Sequence, residues 1–223
     1  MCLHPKDILD EIESNPNNNL SNLINLEENP LITSCVYYEP AQVKYLNGKQ
    51  YKLRVLHLNI RTLPSSFDKL VNLLQKLKEA NCEIDIVLLC ETNITTNTIM
   101  AKCQIEGYDL LTKSRTERVS GGGIGMYVSK KLSYVPREDL IIFDEYRFES
   151  YFIEIAMENN RKVIVGEIYR VPNSGSVYNF IQEYEKIIPI IPTMENENAE
   201  IIIDTDQNID YLKIDSNLAS AHV

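Results

Sequence analysis

The chain has 223 residues, of which 44% are hydrophobic and 24% charged, with a formal net charge of −10. This length suits one sizeable domain, and the acidic balance argues against a protein that coats nucleic acid through a basic surface. No apolar run reaches the roughly 20 residues of a membrane-spanning helix, and the N-terminus lacks the pattern of a secretory signal.

The five cysteines form no CxxC pair, so we expect an intracellular protein without disulfides. The three histidines are scattered along the chain, and the sequence predicts no zinc site that combines them with the cysteines.

The first fifty residues predict a leader rather than a folded domain. Residues Lys6–Glu13 have the pattern of a short helix, but the following segment NPNNNLSN is typical of turns and linkers. An edge strand is predicted over Ser34–Tyr45. We therefore place the folded domain at residues 51–223.

From Tyr51 the pattern is that of two strands joined by a helix. The segment YKLRVLHLNI alternates as a strand does, and one face carries Leu53, Val55, His57 and Asn59. We expect His57 to be a hydrogen-bonded core residue, as buried polar groups usually are. The continuous apolar run IDIVLLCET predicts a second strand, buried on both faces and ending at Glu91.

The helix between these strands is predicted over Ser66–Ala80. Ser65 and Asp68 have the spacing of a capping box at its start. The residues that recur at helical spacing, and so predict its buried face, are Phe67, Leu70, Val71, Leu74 and Leu77.

The remaining segments add antiparallel strands, one helix and one last strand. Glycines at Gly121–Gly125 do not fit a phosphate-binding loop, and we expect them to serve backbone geometry. The predicted elements are a loop with a short helix at Asn93–Cys103, strands at Tyr108–Thr112 and after the glycines, a hairpin of Glu149–Met157 with Lys162–Arg170, a helix at Val177–Ile188 and a strand from Ile201. This order predicts a two-sheet α/β sandwich flanked by helices.

Polar side chains end four of the predicted strands. They are Asn59, Glu91, Tyr169, and Asp206 with Asn208. No serine–histidine or cysteine–histidine arrangement competes with them. Two carboxylates, two amides and a phenol match metal-assisted attack of water on a phosphodiester, because Mg²⁺ needs only one or two carboxylates besides substrate oxygens. For nucleic acid, the candidate basic contact is Lys113–Arg118 followed by Lys130 and Lys131, with a solvated loop as the alternative.

Five segments occur in order along the chain: LHLNIR, DIVLLCET, GGGIGMYV, IYRVPNS and DTDQNID. Together they resemble the motifs of the endonuclease/exonuclease/phosphatase superfamily, and most closely the endonuclease domain of non-LTR retrotransposons. The resemblance covers residues 51–223 and implies a deoxyribonuclease-like fold that is incomplete at its C-terminus.

The resemblance also implies a role for each polar strand end. Glu91 and Asn59 would hold a Mg²⁺ or Mn²⁺ ion, and Asp206 would position the attacking water. The residues that would contact the substrate phosphate are Tyr169, Asn173 and Asn208. The implied reaction nicks one DNA strand and leaves a 3′-hydroxyl. A reverse transcriptase domain downstream in the same polyprotein would extend that end. This role implies access to the nucleus and no membrane partner.

The catalytic-strand motif departs from the family pattern. Thr205 and Gln207 replace the glycine and phenylalanine of the family's Gly-Asp-Phe-Asn motif, and a β-branched residue restricts a backbone that glycine leaves free. Asp204 offers a second register, but Asp206 alone keeps the family spacing to Asn208.

The family's closing Ser-Asp-His segment is also missing. His222 is the only histidine downstream, and its context does not match. The chain is therefore expected to be the N-terminal part of an endonuclease domain with weak or no activity, since residues that act as a unit lose much when one is removed. The alternatives are another phosphoesterase of the same superfamily, or a non-catalytic retroelement relic or fragment.

Overall fold

The computed structural model describes residues 53–113, 115, 122–144, 147–172, 177–187 and 199–208. The predicted leader, with its short helix and edge strand, lies outside these residues. Within them, no helix is long and apolar enough to cross a membrane. Cys82, Cys90 and Cys103 are buried free thiols.

The chain enters the fold through the predicted strand, helix and strand. Strand β1 (Val55–Asn59) pairs in parallel with β2 (Ile86–Cys90), so that Asn59 lies opposite Cys90. Every residue of β2 is buried, which confirms the prediction from its continuous apolar run.

Helix α1 (Leu63–Glu79) connects these strands and begins three residues earlier than predicted. The predicted capping box is wrong, because Thr62 occupies the N-cap position and no side chain caps the helix. Val71 was expected on the buried face, but its side chain is 36% exposed. The buried residues of the helix are Leu63, Leu70, Leu74 and Leu77.

Two mixed sheets make up the body of the fold. The first has the strand order β1-β2-β4-β3, with β3 (Tyr108–Thr112) and β4 (Ile124–Ser129) antiparallel to each other. The second has the order β5-β7-β8-β9, in which β7 (Phe148–Ala156) and β8 (Lys162–Arg170) form the predicted hairpin. Its last strand, β9 (Ala199–Asp206), is parallel to β8. Two short strands were not predicted individually, β5 (Tyr134–Pro136) and β6 (Phe143–Asp144).

The sheets pack face to face, and a helix covers the outer face of each. One apolar cluster fills the space between the sheets with side chains from β2, β4, β7 and β8. A second lies between α1 and the first sheet, and a third lies between the second sheet and α2 (Val177–Ile187). This arrangement confirms the predicted two-sheet α/β sandwich flanked by helices.

The glycine corner before β4 is set by close contacts and by backbone conformation. Gly122 has φ +126°, and a Cβ there would lie 1.9 Å from Nη2 of Arg115. Gly123 has φ +84°, and its Cβ would lie 2.6 Å from Oγ1 of Thr92. Both positions therefore require glycine for structural reasons, as predicted.

Candidate active site between the two sheets

The candidate site lies where edge strands β1 and β9 face each other across the two sheets. Asn59 ends β1, and its Nδ2 donates a hydrogen bond to Oδ2 of Asp206 over 3.1 Å. Asp206 ends β9 and lies beside Tyr169 of β8 in the strand register. The structure thus brings together residues 147 positions apart, which the sequence had placed at separate strand ends.

Tyr169 presents a buried hydroxyl to this site. The residue is fully buried, and its Oη has no hydrogen-bond partner among the described residues. Burial raises the pKa of the phenol above its usual range, and the nearby carboxylates of Glu91 and Asp206 raise it further. The hydroxyl therefore keeps its proton and can donate it in a hydrogen bond to an acceptor that enters the site.

Glu91 follows β2 in a left-handed backbone conformation, with φ +55°. Its carbonyl accepts a hydrogen bond from the backbone nitrogen of Thr62 over 2.7 Å, which ties the end of β2 to the start of α1. A non-glycine residue with positive φ is uncommon and costs about 1–2 kcal/mol. The fold thus fixes the direction in which the half-buried Glu91 leaves the sheet.

Asn208 is held against strand β8 rather than against the Asn59–Asp206 pair. Its Nδ2 donates to the carbonyl of Arg170 over 2.8 Å, and Nη1 of Arg170 donates to the carbonyl of Asn208 over 3.1 Å. These two bonds fix the turn after β9. Asn173, the remaining predicted phosphate contact, lies outside the described residues.

A second set of polar side chains lies two residues before Asn59, Tyr169 and Asp206 on the same strands. We call this set (His57, Glu167 and Asp204) the lower row, and the set that follows it (Asn59, Tyr169 and Asp206) the upper row. Nε2 of His57 lies 3.4 Å from Oε1 of Glu167, and its Nδ1 lies 3.4 Å from Oδ1 of Asp204. Of the two aspartates of β9, Asp206 contacts Asn59 and Asp204 contacts His57.

Glu167 is the most unusual residue of the lower row. It is fully buried, yet neither carboxylate oxygen has an aligned hydrogen bond within the described part of the chain. Burial raises its pKa to about 7, against the opposing effect of His57. In turn, Glu167 raises the pKa of His57. His57 was expected to be a hydrogen-bonded core residue, but its Nε2 is buried without a hydrogen-bond partner among the residues that the structure describes.

Cys90 connects the two rows. Its Sγ lies 3.3 Å from Oδ2 of Asp206, and His57, Cys90 and Glu167 each place one potential ligand atom within 4.8 Å of the others. The sequence predicted no zinc site that combines histidines with cysteines, but these three ligand atoms lie close enough together to hold a metal ion. The sequence did carry a signal: a polar residue stands two positions before Asn59, Tyr169 and Asp206 alike, on the same face of each strand.

The predicted basic patch is also corrected at its centre. Arg115 is 1% exposed, and its guanidinium pairs with the buried carboxylate of Glu149. It is therefore not available to a nucleic acid. Lys130 and Lys131 lie at the surface, where they form ion pairs with Asp109 and Glu83, respectively. Residues 114 and 116–118 lie outside the described part.

Comparison with known proteins identifies the fold. No family model and no curated protein matches the chain. Among solved structures, truncated TDP2 from Caenorhabditis elegans is 16% identical over 73% of this chain and 64% of that one, with a TM-score of 0.52. The human Nocturnin catalytic domain is 12% identical over 76% of this chain and 69% of that one, with a TM-score of 0.48.

The endonuclease domain of TRAS1, a telomere-specific non-LTR retrotransposon, is 15% identical over 71% of this chain and 60% of that one, with a TM-score of 0.47. These three structures belong to the endonuclease/exonuclease/phosphatase superfamily. The chain spans between 60% and 69% of their lengths. The similarity to TDP2, whose TM-score exceeds 0.5, shows that the chain has the sandwich fold of that superfamily, as its motifs implied.

Proposed function

We propose that this chain, which has the fold of the endonuclease/exonuclease/phosphatase superfamily, is a divalent-metal-dependent phosphodiesterase. The observation that carries the proposal is the contact between Asn59 and Asp206 at facing strand ends. Beside Asp206 lies the hydroxyl of Tyr169, which has no hydrogen-bond partner in the described part of the chain. Convergent polar groups from four separate strands are the pattern of an active site rather than of a turn.

The oxygen donors at this edge fit a hard divalent cation. The amide nitrogen of Asn59 donates a hydrogen bond to Asp206. Its amide oxygen would therefore bind the cation, together with the carboxylate of Glu91. Mg²⁺ and Mn²⁺ prefer such oxygen ligands and keep several waters. When bound there, the ion would polarise the phosphoryl group and stabilise the leaving oxygen.

The other residues of the upper row supply the proton chemistry. Oδ2 of Asp206 accepts hydrogen bonds from Asn59 and Cys90. Its Oδ1 is therefore the atom that accepts a proton from the attacking water. Tyr169 donates its hydroxyl to a phosphate oxygen, because burial and two carboxylates keep that hydroxyl protonated. Asn208 holds the end of β9 in place through the backbone of Arg170.

We further propose DNA as the substrate and target nicking for a non-LTR retrotransposon as the role. The support is the order of the five motifs along the chain. In that role the cleaved strand ends in a 3′-hydroxyl, and a reverse transcriptase domain encoded in the same polyprotein extends it. Sequencing the transcript beyond the codon for Val223 tests the role, since reverse-transcriptase motifs in the same reading frame are expected there.

Because the chain is expected to be weak or inactive without the family's closing segment, the activity is tested with the chain extended by the reading frame that follows Val223. The extended protein is incubated with supercoiled plasmid and Mg²⁺ or Mn²⁺, and the rate at which open circles appear is measured. Loss of a general base or of a charged transition-state partner costs about 10²–10⁴-fold in rate. We therefore expect Asp206→Asn and Glu91→Gln each to lower nicking by that factor. A parallel assay on phosphomonoesters identifies a phosphatase instead.

The matched control is Glu106→Gln, which removes the same charge from an exposed residue outside the site. It should nick at the wild-type rate. Equal rates for Glu91→Gln, Asp206→Asn and the control would overturn the site assignment, as would an extended chain that cleaves neither plasmid nor phosphomonoester with either metal.

A further inference from the structure

We propose that a zinc ion binds to Nε2 of His57 and the carboxylate of Glu167, both of the lower row, and to Sγ of Cys90. This site is distinct from the Mg²⁺ position proposed at Asn59 and Glu91. This site can be tested separately from the phosphodiesterase activity, because zinc binding is measured directly and His57 and Glu167 have no part in the proposed cleavage chemistry. Cys90 alone also contacts a proposed catalytic residue, Asp206. It would connect strands β1 and β2 of the first sheet to β8 of the second.

One distance between the candidate ligand atoms is that of a tetrahedral zinc site, and the third ligand atom lies near both of the others. Two ligands at about 2.0–2.3 Å from one tetrahedral zinc lie about 3.3–3.6 Å apart. Nε2 of His57 and Oε1 of Glu167 are 3.4 Å apart. The three ligand atoms, with Sγ of Cys90 included, all lie within 4.8 Å of one another.

Glu167 supplies a second, independent observation in favour of a cation. A fully buried carboxylate normally has hydrogen-bond partners or a paired cation, because an unpaired one carries a large desolvation cost. Both oxygens of Glu167 are buried without an aligned hydrogen bond among the described residues, and Nε2 of His57 lies 3.4 Å from Oε1. A zinc ion bound between Nε2 of His57 and Oε1 of Glu167 would give both atoms a partner.

Asp204 completes the arrangement from the other side of the imidazole ring. A zinc-bound histidine almost always donates its second ring nitrogen to a carboxylate or carbonyl, which fixes the tautomer and the ring orientation. Nδ1 of His57 lies 3.4 Å from Oδ1 of Asp204, while Nε2 faces Glu167. The ring thus has one nitrogen for a metal and the other for its orienting carboxylate.

The ligand types separate this site from the oxygen-lined position proposed at Asn59 and Glu91. Imidazole and thiolate favour zinc and cobalt over magnesium, which prefers carboxylate, carbonyl and water. Asp206 lies next to this site, with its Oδ2 3.3 Å from Sγ of Cys90. Burial raises the pKa of the Cys90 thiol, so metal binding would release its proton to solvent.

The test is titration of the full chain, freed of metal with a chelator, with Co²⁺ as a spectroscopic substitute for zinc. One equivalent of Co²⁺ should produce a cobalt–thiolate charge-transfer absorption together with the visible bands of a tetrahedral site. Zn²⁺ should displace it stoichiometrically, and a large excess of Mg²⁺ should not. Absence of the charge-transfer absorption would overturn the proposal.

Variants assign the ligands. Cys90→Ser should abolish the charge-transfer absorption, whereas Cys103→Ser, another buried free thiol, should leave it unchanged. Asp204→Asn retains all three ligands and should weaken zinc binding about 10–100-fold, the usual effect of losing an orienting carboxylate. If Cys90→Ser unfolds the chain, Glu167→Gln serves in its place and should lower zinc affinity at least as much as Asp204→Asn.

A charge-transfer absorption that survives in folded Cys90→Ser, or one that is lost only in Cys103→Ser, would refute the assignment. So would a zinc affinity that neither Glu167→Gln nor Asp204→Asn changes. None of these readouts requires cleavage of a substrate, so failure of the phosphodiesterase proposal leaves them interpretable.

Discussion

Two fully buried glutamates, on neighbouring strands of the second sheet, have opposite environments. Glu149 of β7 accepts hydrogen bonds from Nε of Arg115 and from the backbone nitrogen of Gly123, each over 2.8 Å. Glu167 of β8 has no aligned hydrogen bond from the described residues and only an imidazole at 3.4 Å.

The difference separates a structural carboxylate from one suited to a ligand. Glu149 is paired in the folded chain itself, so its charge supports the glycine corner before β4. Glu167 is equally buried but gains no comparable partner, and an unpaired buried charge is costly. Such a cost persists in proteins mainly where function maintains it, and the zinc site proposed above would remove it.

Breaking the Glu149 pair should have the largest effect. Arg115→Ala leaves Glu149 buried without its guanidinium, and removing one partner of a buried pair costs about 3–5 kcal/mol. We expect the free energy of unfolding, measured by urea denaturation with circular dichroism, to fall by that amount. Lys131→Ala is the control, since its ion pair with Glu83 is exposed and contributes about 0–1 kcal/mol. Similar losses for both variants would show that Glu149 does not depend on Arg115.

Arg115 also shows what the sequence cannot predict. Its neighbours KSRTER gave the pattern of an exposed basic loop, and nothing local distinguishes one buried arginine from that background. Its partner Glu149 lies 34 positions away, on a strand of the other sheet. Pairings that depend on how two sheets stack are tertiary, so charge patterning alone assigned this residue to the wrong environment.

The fold and the upper row were easier to predict from the sequence than the environment of Arg115. Period-two alternation placed Asn59 and His57 on one face of β1, and the apolar run of β2 marked it as buried on both faces. The lower row was missed because each of its residues has an ordinary local explanation. Only the register of β8 with β9, and the contact between β1 and β9, brings the ring of His57 between Glu167 and Asp204.

The second prediction concerns pH and the metal-free chain. The pKa of Glu167 is raised from 4.5 to about 7 by burial, while His57, Asp204 and Cys90 face it from the adjoining strands. A raised folded-state pKa means that the folded chain binds the proton more tightly than the unfolded chain. The associated stability is present below about pH 4.5 and is lost as the pH rises through about 7.

The size of the Glu167 contribution to this loss follows from the shift, at 1.36 kcal/mol for each pKa unit, and is about 3 kcal/mol. His57, whose pKa is also raised, adds to the loss with the same sign. Unfolding free energies at pH 5 and pH 8, measured with chelator present, should differ more for the wild type than for Glu167→Gln. Glu106→Gln, which changes an exposed carboxylate, should match the wild type. An identical pH dependence in Glu167→Gln would show that Glu167 is not the titrating group.

The smallest expected effect tests whether the glycine corner acts through Arg115. Gly107 and Gly122 both have positive φ, but a Cβ at Gly107 meets nothing within 4 Å, whereas one at Gly122 would lie 1.9 Å from Nη2 of Arg115. Gly107→Ala should cost about 1 kcal/mol through backbone conformation alone. Gly122→Ala should cost about 1–2 kcal/mol more, because the guanidinium has to move away from Glu149.

A double-mutant cycle separates the two causes. In the Arg115→Ala background the steric conflict at Gly122 is gone, so Gly122→Ala should cost no more than Gly107→Ala does. The coupling energy between the two sites would then equal the steric part of the Gly122 effect. If Gly122→Ala costs the same in both backgrounds, the corner does not act through the Arg115–Glu149 pair. The hydrogen bond from Gly123 to Glu149 would then depend on local backbone geometry. The difference in stability between the buried carboxylates of Glu149 and Glu167 would come from Arg115 alone.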